Sequence, residues 1–313
     1  MLKKIIVASM IAIGVAVTIM MSSSPERNKP VVSICKVVEH EAIDAAVSGI
    51  KDYLGDVVQF NVDTCQSNAV IASQIMSKFV SSKSDIVVAV GTTPAQVAFK
   101  FAQQKAIKLV FSSVTNPDNI SASLNDSNTA GVSNFVPLEP QIELFMSLQP
   151  NMKRLGIIYN SGESNSVDIV MKLRDVVKKY GIELVEQSIQ KASDIPQAVQ
   201  TLIQKKVDAA FVSNDNLALA SIPIIVKLCG KTPVYVSDTD QVAKGCVAAL
   251  GPNQYNIGIQ TGKMIGRILD GEDINAIEIE YPSSTETYLN QSKADEIGLK
   301  IPQKVSNMAT KIY

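Results

Sequence analysis

The 313-residue chain contains no tryptophan, one histidine and four cysteines. It also lacks a charge of one dominant sign: 29 Lys and Arg oppose 30 Asp and Glu, a formal net charge of -1. The missing positive excess argues against a nucleic-acid partner, which needs clustered Lys and Arg to displace counterions from phosphates. One His and four scattered Cys leave few soft ligands for a catalytic metal, so neither metal nor cofactor is expected. His40 is the sole imidazole and hence the only histidine available as a general base. No G-x-S-x-G surrounds a serine and no G-x-G-x-x-G follows the first strand. Gly91-Thr92-Thr93 lacks the spacing of a P-loop. What is plentiful is apolar surface. A content of 46% apolar and 19% charged residues excludes a disordered chain, and the length allows one large domain or two ordinary ones.

One long uncharged run stands out at residues 5–21, behind Lys3 and Lys4. A basic start followed by an apolar stretch is the pattern of an export signal. As a helix it would span about 26 Å, slightly short of the ~30 Å hydrocarbon core. The first reading is a cleaved leader over residues 1–24; the second is a retained membrane anchor. Residues 25–30, bounded by Pro25 and Pro30, read as a linker. Export implies an oxidising compartment in which the four cysteines can pair. Cys35 with Cys65 and Cys229 with Cys246 are the local combinations; buried free thiols fit the sequence equally well.

The remaining chain alternates short apolar, β-branched runs with longer helical patterns. Strands are expected at 31–34, 85–90, 108–111, 154–159, 183–188, 208–212, 233–236 and 246–250. None alternates polar with apolar, so they read as parallel strands covered on both faces. Helices are expected at 67–80, with Val70, Ile71, Ile75 and Phe79 on one side, at 94–104 behind Pro94, and at 165–180 before Gly181. Ile34 and Ile157, Asp85 and Asp208, and Val110 and Val234 keep a spacing of about 123 residues. The fold class is therefore α/β: two similar doubly wound parallel-sheet lobes.

Open parallel sheets bind ligands beyond the carboxyl ends of their strands. In the first half those ends carry hydroxyls and the amides opening the Pro94 helix, a place for a carboxylate or phosphate. In the second half they carry Glu163, Asp215, Asp238 and several amides, which can hold an ammonium. An anion holder facing a cation holder suits a zwitterion such as an amino acid. Each of these Ser, Thr, Asn and Asp residues also suits a helix cap. His40 has three readings, as a packing and hydrogen-bonding residue, as a ligand contact, or as a base. The last lacks a nucleophile partner. Tyr159 and Phe111 lie near strand ends, where they either pack on an aromatic ligand or belong to the core.

Several junctions resemble one family. They are Val38-Glu39-His40-Glu41-Ala42-Ile43-Asp44-Ala45-Ala46 with Gly49, then Gln66-Ser67-Asn68, AVGTTPAQ at 89–96, FSSVTNP at 111–117 and TAGVSNFVPLEPQIEL at 129–144. IIYNSGESNS at 157–166, DAAFVSNDN at 208–216 and LGPNQYNIGIQTGKM at 250–264 continue the series, which closes on a late YLN and IGLKIP pattern. In order, and over almost everything after residue 30, they resemble the tryptophan/tyrosine-type substrate-binding proteins of ABC transporters. The resemblance implies a type I periplasmic-binding fold with a three-crossover hinge, near 135–140, 250–252 and 281–284. It implies a first lobe of 31–136 plus 252–281 and a second of 137–251 plus 282–313. It implies a periplasmic monomer that holds a small molecule, an amino acid and often an aromatic one, for an ABC permease and its ATPase. The pocket residues it implies are Glu39, His40, Thr92, Thr93, Ser112, Thr115, Asn160, Glu163, Asn165, Ser166, Asp215, Asn216 and Asp238. Two departures matter. Cys65 occupies a place where a polar, often acidic, residue is expected, and the lack of a lipid-modified Cys after the apolar run separates the chain from the lipoprotein members and implies a periplasmic setting.

A binding protein is therefore the leading function, with no catalysis. The alternatives are a membrane-tethered sensor, if residues 5–21 stay in place, and a cleft hydrolase built on His40. A repressor with the same lobes would need a helix-turn-helix where the leader stands.

Overall fold

The computed structural model describes residues 29–121 and 127–313; the leader expected at residues 1–24 lies outside the described residues. Each strand of the first half is followed by a helix or loop that returns over the sheet. β1 (Val31–Lys36) leads to α1 (Glu41–Leu54), β2 (Gln59–Thr64) to α2 (Ala69–Ser81), and β3 (Ile86–Val90) to α3 (Thr92–Gln103). β4 (Leu109–Val114) and β5 (Thr129–Ser133) complete a five-stranded parallel sheet of order β2-β1-β3-β4-β5.

The apolar runs are continuous because both faces of the sheet are covered. Ile86, Val88 and Val90 face one cluster with Val32 and Ile34. Val87 and Ala89 face the other with Cys35, under α2 and α3. A strand buried on both sides has no solvent face to make polar. Each fully buried Val or Ile contributes roughly 1.5–3 kcal/mol of transfer free energy.

The second half repeats the plan. α4 (Leu138–Leu148), β6 (Arg154–Asn160), α5 (Ser164–Lys179), β7 (Glu183–Ile189), α6 (Ile195–Gln204) and β8 (Ala209–Val212) follow in order. Then come α7 (Asn216–Ala220), α8 (Ile222–Cys229), β9 (Val234–Val236) and β10 (Ala248–Gly251). α9 (Gln254–Leu269) returns to the first sheet, where Ile257, Met264, Ile265 and Ile268 join the cluster of β1 and β3. β11 (Glu286–Leu289), α10 (Gln291–Ile297), α11 (Gln303–Ser306) and β12 (Lys311–Ile312) belong to the second sheet, of order β12-β11-β10-β9-β8-β6-β7. Only the β10–β11 pair is antiparallel. The chain thus crosses between sheets three times, after β5, after β10 and before β11.

The return of α9 depends on two glycines. A Cβ on Gly258 would sit 2.0 Å from the Ala46 carbonyl oxygen, and one on Gly49 would sit 2.2 Å from that of Tyr255. Helices α1 and α9 therefore touch backbone to backbone, an approach that any side chain would prevent.

Four strands escaped the sequence reading for identifiable reasons. β2 is a mixed edge strand, QFNVDT, only partly buried. β5 is a run of small residues, TAGVS. β11 and β12 are short pieces on the edge of the second sheet. The face expected for α2 also differs. Ala72, Ile75, Met76 and Phe79 are buried, whereas Val70 is 67% exposed and Ile71 37%, because the first turn of the helix runs past the core. All four cysteines are unpaired and buried. No helix among the described residues is long and apolar enough to cross a membrane.

Candidate functional site

The carboxyl ends of the two sheets face each other across a cleft. From the first half, His40, Gly91, Thr92, Ser113, Thr115 and Asn134 line it, with Ala42 and Ile43 of α1. From the second come Asn165, Asn214, Asn216, Leu219 and Asp238, while Gln254 enters from the start of α9.

The anion-binding end is built by α3. Gly91 precedes it at φ 96, a left-handed conformation that suits glycine, and no side chain caps the helix. Its opening amides are thus left for a ligand, at the positive end of the helix dipole. Gly91 is also fixed by space, since a Cβ there would lie 2.7 Å from a methyl of Val37.

The opposite wall carries the negative charge. Asp238 is 2% exposed and caps the turn that follows it, accepting from the Asp240 amide at 3.1 Å and from Gln241 Nε2 at 3.1 Å. Burial pushes its carboxyl above the ordinary range. Among the described residues, the buried polar atoms without a hydrogen-bond partner include Asn134 Oδ1, in the cleft wall, Ser213 Oγ and Gln241 Oε1. Buried acceptors without donors are costly unless a ligand or water supplies them.

Asn165 and Asn216 are held in place by Glu163. That carboxylate accepts from Asn216 Nδ2 at 2.7 Å, the Asn216 amide at 3.2 Å, Asn160 Nδ2 at 3.1 Å and Asn165 Nδ2 at 3.5 Å. Asn165 Nδ2 also donates to the Asn214 carbonyl at 2.7 Å. Asp215 is fully buried behind this group. It accepts from the Asn160 amide at 2.5 Å and from the Ala218 amide at 2.8 Å. Burial first, then the charge of Glu163, pushes its carboxyl up to about 6.

The structure thus gathers His40, Thr92, Thr115, Asn165, Asn216 and Asp238 on the cleft and places the other expected residues elsewhere. Glu39 turns to solvent and pairs with Lys36 at 2.5 Å and with Thr64. Thr93 follows Thr92 in α3 without lining the cleft. Asn160, Glu163 and Asp215 orient the amides of the wall, and Ser166, fully buried, hydrogen-bonds Asp215. Ser112 gives its place to Ser113. A bulge lies between Ser112 and Val114, with Ser113 at φ 55, so Ser112 Oγ turns to Thr261 Oγ1 at 2.8 Å while Ser113 reaches the cleft. Ser113 Oγ donates to Gln254 Oε1 at 3.0 Å. Asn134, Asn214 and Gln254 lie within motifs quoted for the resemblance but were not among the expected pocket residues, and Leu219 lies in none of them. Phe111 is fully buried and Tyr159 packs on the core of the second half, so neither reaches the ligand space.

The two halves touch around this cleft. Glu41 pairs with Lys244 at 2.7 Å, Gln96 Nε2 donates to Ser164 Oγ at 3.1 Å, and Asn116 Nδ2 donates to Asp168 Oδ2 at 3.2 Å. His40 joins them. Its Nδ1 accepts the Ala42 amide at 3.3 Å, its Nε2 lies 3.4 Å from Gln241 Nε2, and its ring is hydrogen-bonded to the Leu219 backbone. Burial, and then the charge of Lys244, hold the imidazole below its ordinary range. The partners of His40 are those of a clasp between lobes. Among the described residues, no group of three or more His, Cys, Asp or Glu is placed to hold a metal.

Comparison with known proteins agrees with this architecture. A family described as ABC transporter substrate binding protein matches residues 31–313. A tyrosine-binding protein of Clostridioides difficile (strain R20291) is 31% identical over 275 residues, 83% of this chain and 78% of that protein. Among solved structures, an ABC domain in complex with L-Trp from Streptococcus pneumonia is 27% identical and covers 91% of this chain and all of its own, with a TM-score of 0.83. The ligand-free, open structure of a substrate binding protein from Clostridium difficile is 28% identical, with 90% of this chain and 98% of its own covered, yet has a TM-score of only 0.69.

Proposed function

The chain belongs to the ABC transporter substrate binding protein family, and we propose that it captures a free amino acid between its lobes outside the cytoplasmic membrane and presents it to a permease. The observation that carries this reading is the polarity of the cleft: uncapped amides of α3 at one end and buried Asp238 at the other. The amino acid's carboxylate would lie at Thr92, and its ammonium would take the carboxylate of Asp238 and the free oxygen of Asn134. An ammonium also stabilises Asp238 in its charged form, offsetting part of the desolvation cost of that buried group.

Binding and closure are coupled. Ligand enters the open cleft, rests on one lobe, and favours the closed form because only there does it meet both ends of the site. The cross-lobe contacts of His40, Glu41, Gln96 and Asn116 add to closure. A permease would then distinguish the closed shape from the open one. Tyrosine and tryptophan are the first ligands to try, given the two relatives that bind them.

Calorimetry and thermal melting with an amino acid panel test the proposal. The right ligand at about a hundred times its Kd stabilises the closed protein by about 2.7 kcal/mol. A panel including Trp, Tyr and Phe that gives neither heat nor a melting shift removes the amino acid reading.

A further inference from the structure

The two lobes differ at the ends remote from the cleft, where the strands begin and the helices finish. Lysines stand at both ends, since a cation suits the negative end of a helix dipole. In the first lobe acids accompany them: Lys83, Lys105 and Lys108 share the end with Asp56, Asp85 and Asp270. In the second lobe the acids are few and already engaged. Asp208 accepts the amides of Lys153 and Arg154 at 2.7 and 2.8 Å, and Glu183 pairs with Arg154 at 3.0 Å.

The lysines around them are exposed. Lys153 precedes β6, Lys178 lies in the last turn of α5, Lys205 and Lys206 follow α6, and Lys231 follows α8. Hydrogen bonds hold these turns together at one end of the sheet. The Glu183 amide donates to the Lys153 carbonyl at 2.8 Å, Arg154 Nη1 to the Lys205 carbonyl at 3.1 Å, and the Ala210 amide to the Pro233 carbonyl at 2.9 Å. Among the described residues, none of these lysines has an acidic partner. In a chain of net charge -1 they are a segregated positive charge. The potentials of neighbouring charges add, and they act within about one Debye length.

Apolar side chains stand beside this charge. α6 and α8 lie side by side on the second sheet, with Val199, Leu202, Ile225 and Val226 buried beneath them. On their outer side Ile203, Ile224 and Leu228 are 38%, 49% and 44% exposed. Ile224 and Leu228 are four residues apart and share one face, with the exposed Lys227 between them in sequence. A groove at the same end is lined by Leu184 and Val185 together with Arg154, Lys205 and Lys206. Its acids, Glu183 and Glu186, are taken by Arg154 and Arg174.

We propose that this end of the second lobe docks reversibly on an anionic phospholipid bilayer. The lysines meet the phosphates, and Ile203, Ile224 and Leu228 enter the headgroup boundary, the combination that holds peripheral helices at membranes. A bilayer suits the face better than a second copy of the chain. A two-fold contact would set Lys227 and Lys231 close to the same lysines of the other copy. The cleft lies at the opposite end of the lobe, so the docked protein still admits ligand. The inference goes beyond the amino acid reading and takes from it only the location outside the cytoplasmic membrane.

Vesicle co-sedimentation tests the surface. The exported chain is mixed with neutral phosphatidylcholine vesicles and with vesicles holding about 40% phosphatidylglycerol, at low salt and at about 0.5 M salt. The expected result is binding to the anionic vesicles alone, lost at high salt. Lys205→Ala/Lys206→Ala should weaken it about ten- to thirtyfold, and Ile224→Ser/Leu228→Ser about threefold or more. Lys105→Ala/Lys108→Ala, at the end of the first lobe, should leave it level. All three variants exchange exposed side chains, so each should melt close to the parent. Equal binding to both kinds of vesicle, binding indifferent to the Lys205→Ala/Lys206→Ala exchange, or no binding overturns the proposal. Capture by heparin but not by vesicles also overturns it and marks a soluble polyanion. A dimer that Ile224→Ser/Leu228→Ser disperses, with no vesicle binding, marks a second copy instead. The mixtures contain no amino acid, so their outcome is independent of the ligand panel, and cell fractionation scores the location separately.

Discussion

Glu41, at the start of α1 in the first lobe, reaches across the mouth of the cleft to Lys244 of the second lobe at 2.7 Å. The pair holds the lobes together without touching the ligand space, since neither residue lines it. Its carboxylate is 70% exposed, so its contribution is small and screened by salt. Lys244→Met should weaken ligand binding about two- to fivefold, mainly through faster release, by favouring the open form. Calorimetry at low and high salt measures this. An unchanged affinity at low salt would show that the pair contributes nothing to closure.

Asp238 is expected to matter far more for binding than for folding. Asp238→Asn keeps an acceptor for the Asp240 amide but removes the charge offered to an ammonium. Affinity should fall by about 10²- to 10³-fold, the scale of losing a buried charged hydrogen bond. The melting temperature of the unliganded protein should stay level or rise, because a desolvated carboxylate is gone. Equal affinity for parent and variant would sink the zwitterion reading.

The pH dependence of stability follows from Asp215. Its folded value, about 6, lies above the ordinary 3.8, so the folded state binds the extra proton first. Stability attributable to this group is greatest below about 4 and declines as pH rises through about 6. Asp240 is raised to about 6 as well and acts in the same direction. His40 acts oppositely: its folded value is lowered, so stability is lost as pH falls through 6.5. Carboxylates held low by partners, such as Glu186 with Arg174, oppose further acidification below about 4. Asp215→Asn isolates the first effect. The difference between the melting temperatures of variant and parent should be larger at pH 7.5 than at pH 4.5, and a constant difference would refute the assignment.

The helix contact that returns the chain to the first lobe should tolerate no side chain. Gly258→Ala puts a methyl group 2.0 Å from the Ala46 oxygen, between two backbones that cannot yield separately. Overpacking of this kind costs about 1–3 kcal/mol and more where backbone must move. Urea unfolding should show the loss. Gly266→Ala is the control, because its added methyl meets only Tyr53 Cε1 at 3.6 Å.

How far the sequence carried can be judged from individual residues. Val87 and Val88 both had to be buried, which already required a sheet covered on two sides. β2 was illegible because an edge strand with the pattern QFNVDT has neither a clean period nor a continuous apolar run. Asp238 and Glu163 read alike as acids after strands. One faces the cleft, and the other is consumed by four donors from three asparagines. Ser112 and Ser113 differ by one position, and a bulge decided which of them turns outward. Asn134 and Gln254 belong to segments between the sheets, and only the packing of both lobes brings them to the wall.

The sequence by itself determined the alternation of strands and helices, the duplicated α/β plan and the end of each sheet where a ligand would lie. Those properties depend on local periodicity and on handedness, which short stretches of chain already encode. Tertiary structure decided which polar groups remain free at those ends. A carboxylate or amide beside a strand end takes whichever donor the neighbouring element offers, and that neighbour is fixed by three chain crossings and by the close approach of α1 to α9. Asp215 was taken by the amides of Asn160 and Ala218, while Asp238 kept a face to the cleft. The scarcity of histidine acquired its meaning the same way: His40 stands where the two lobes meet, bonded to both.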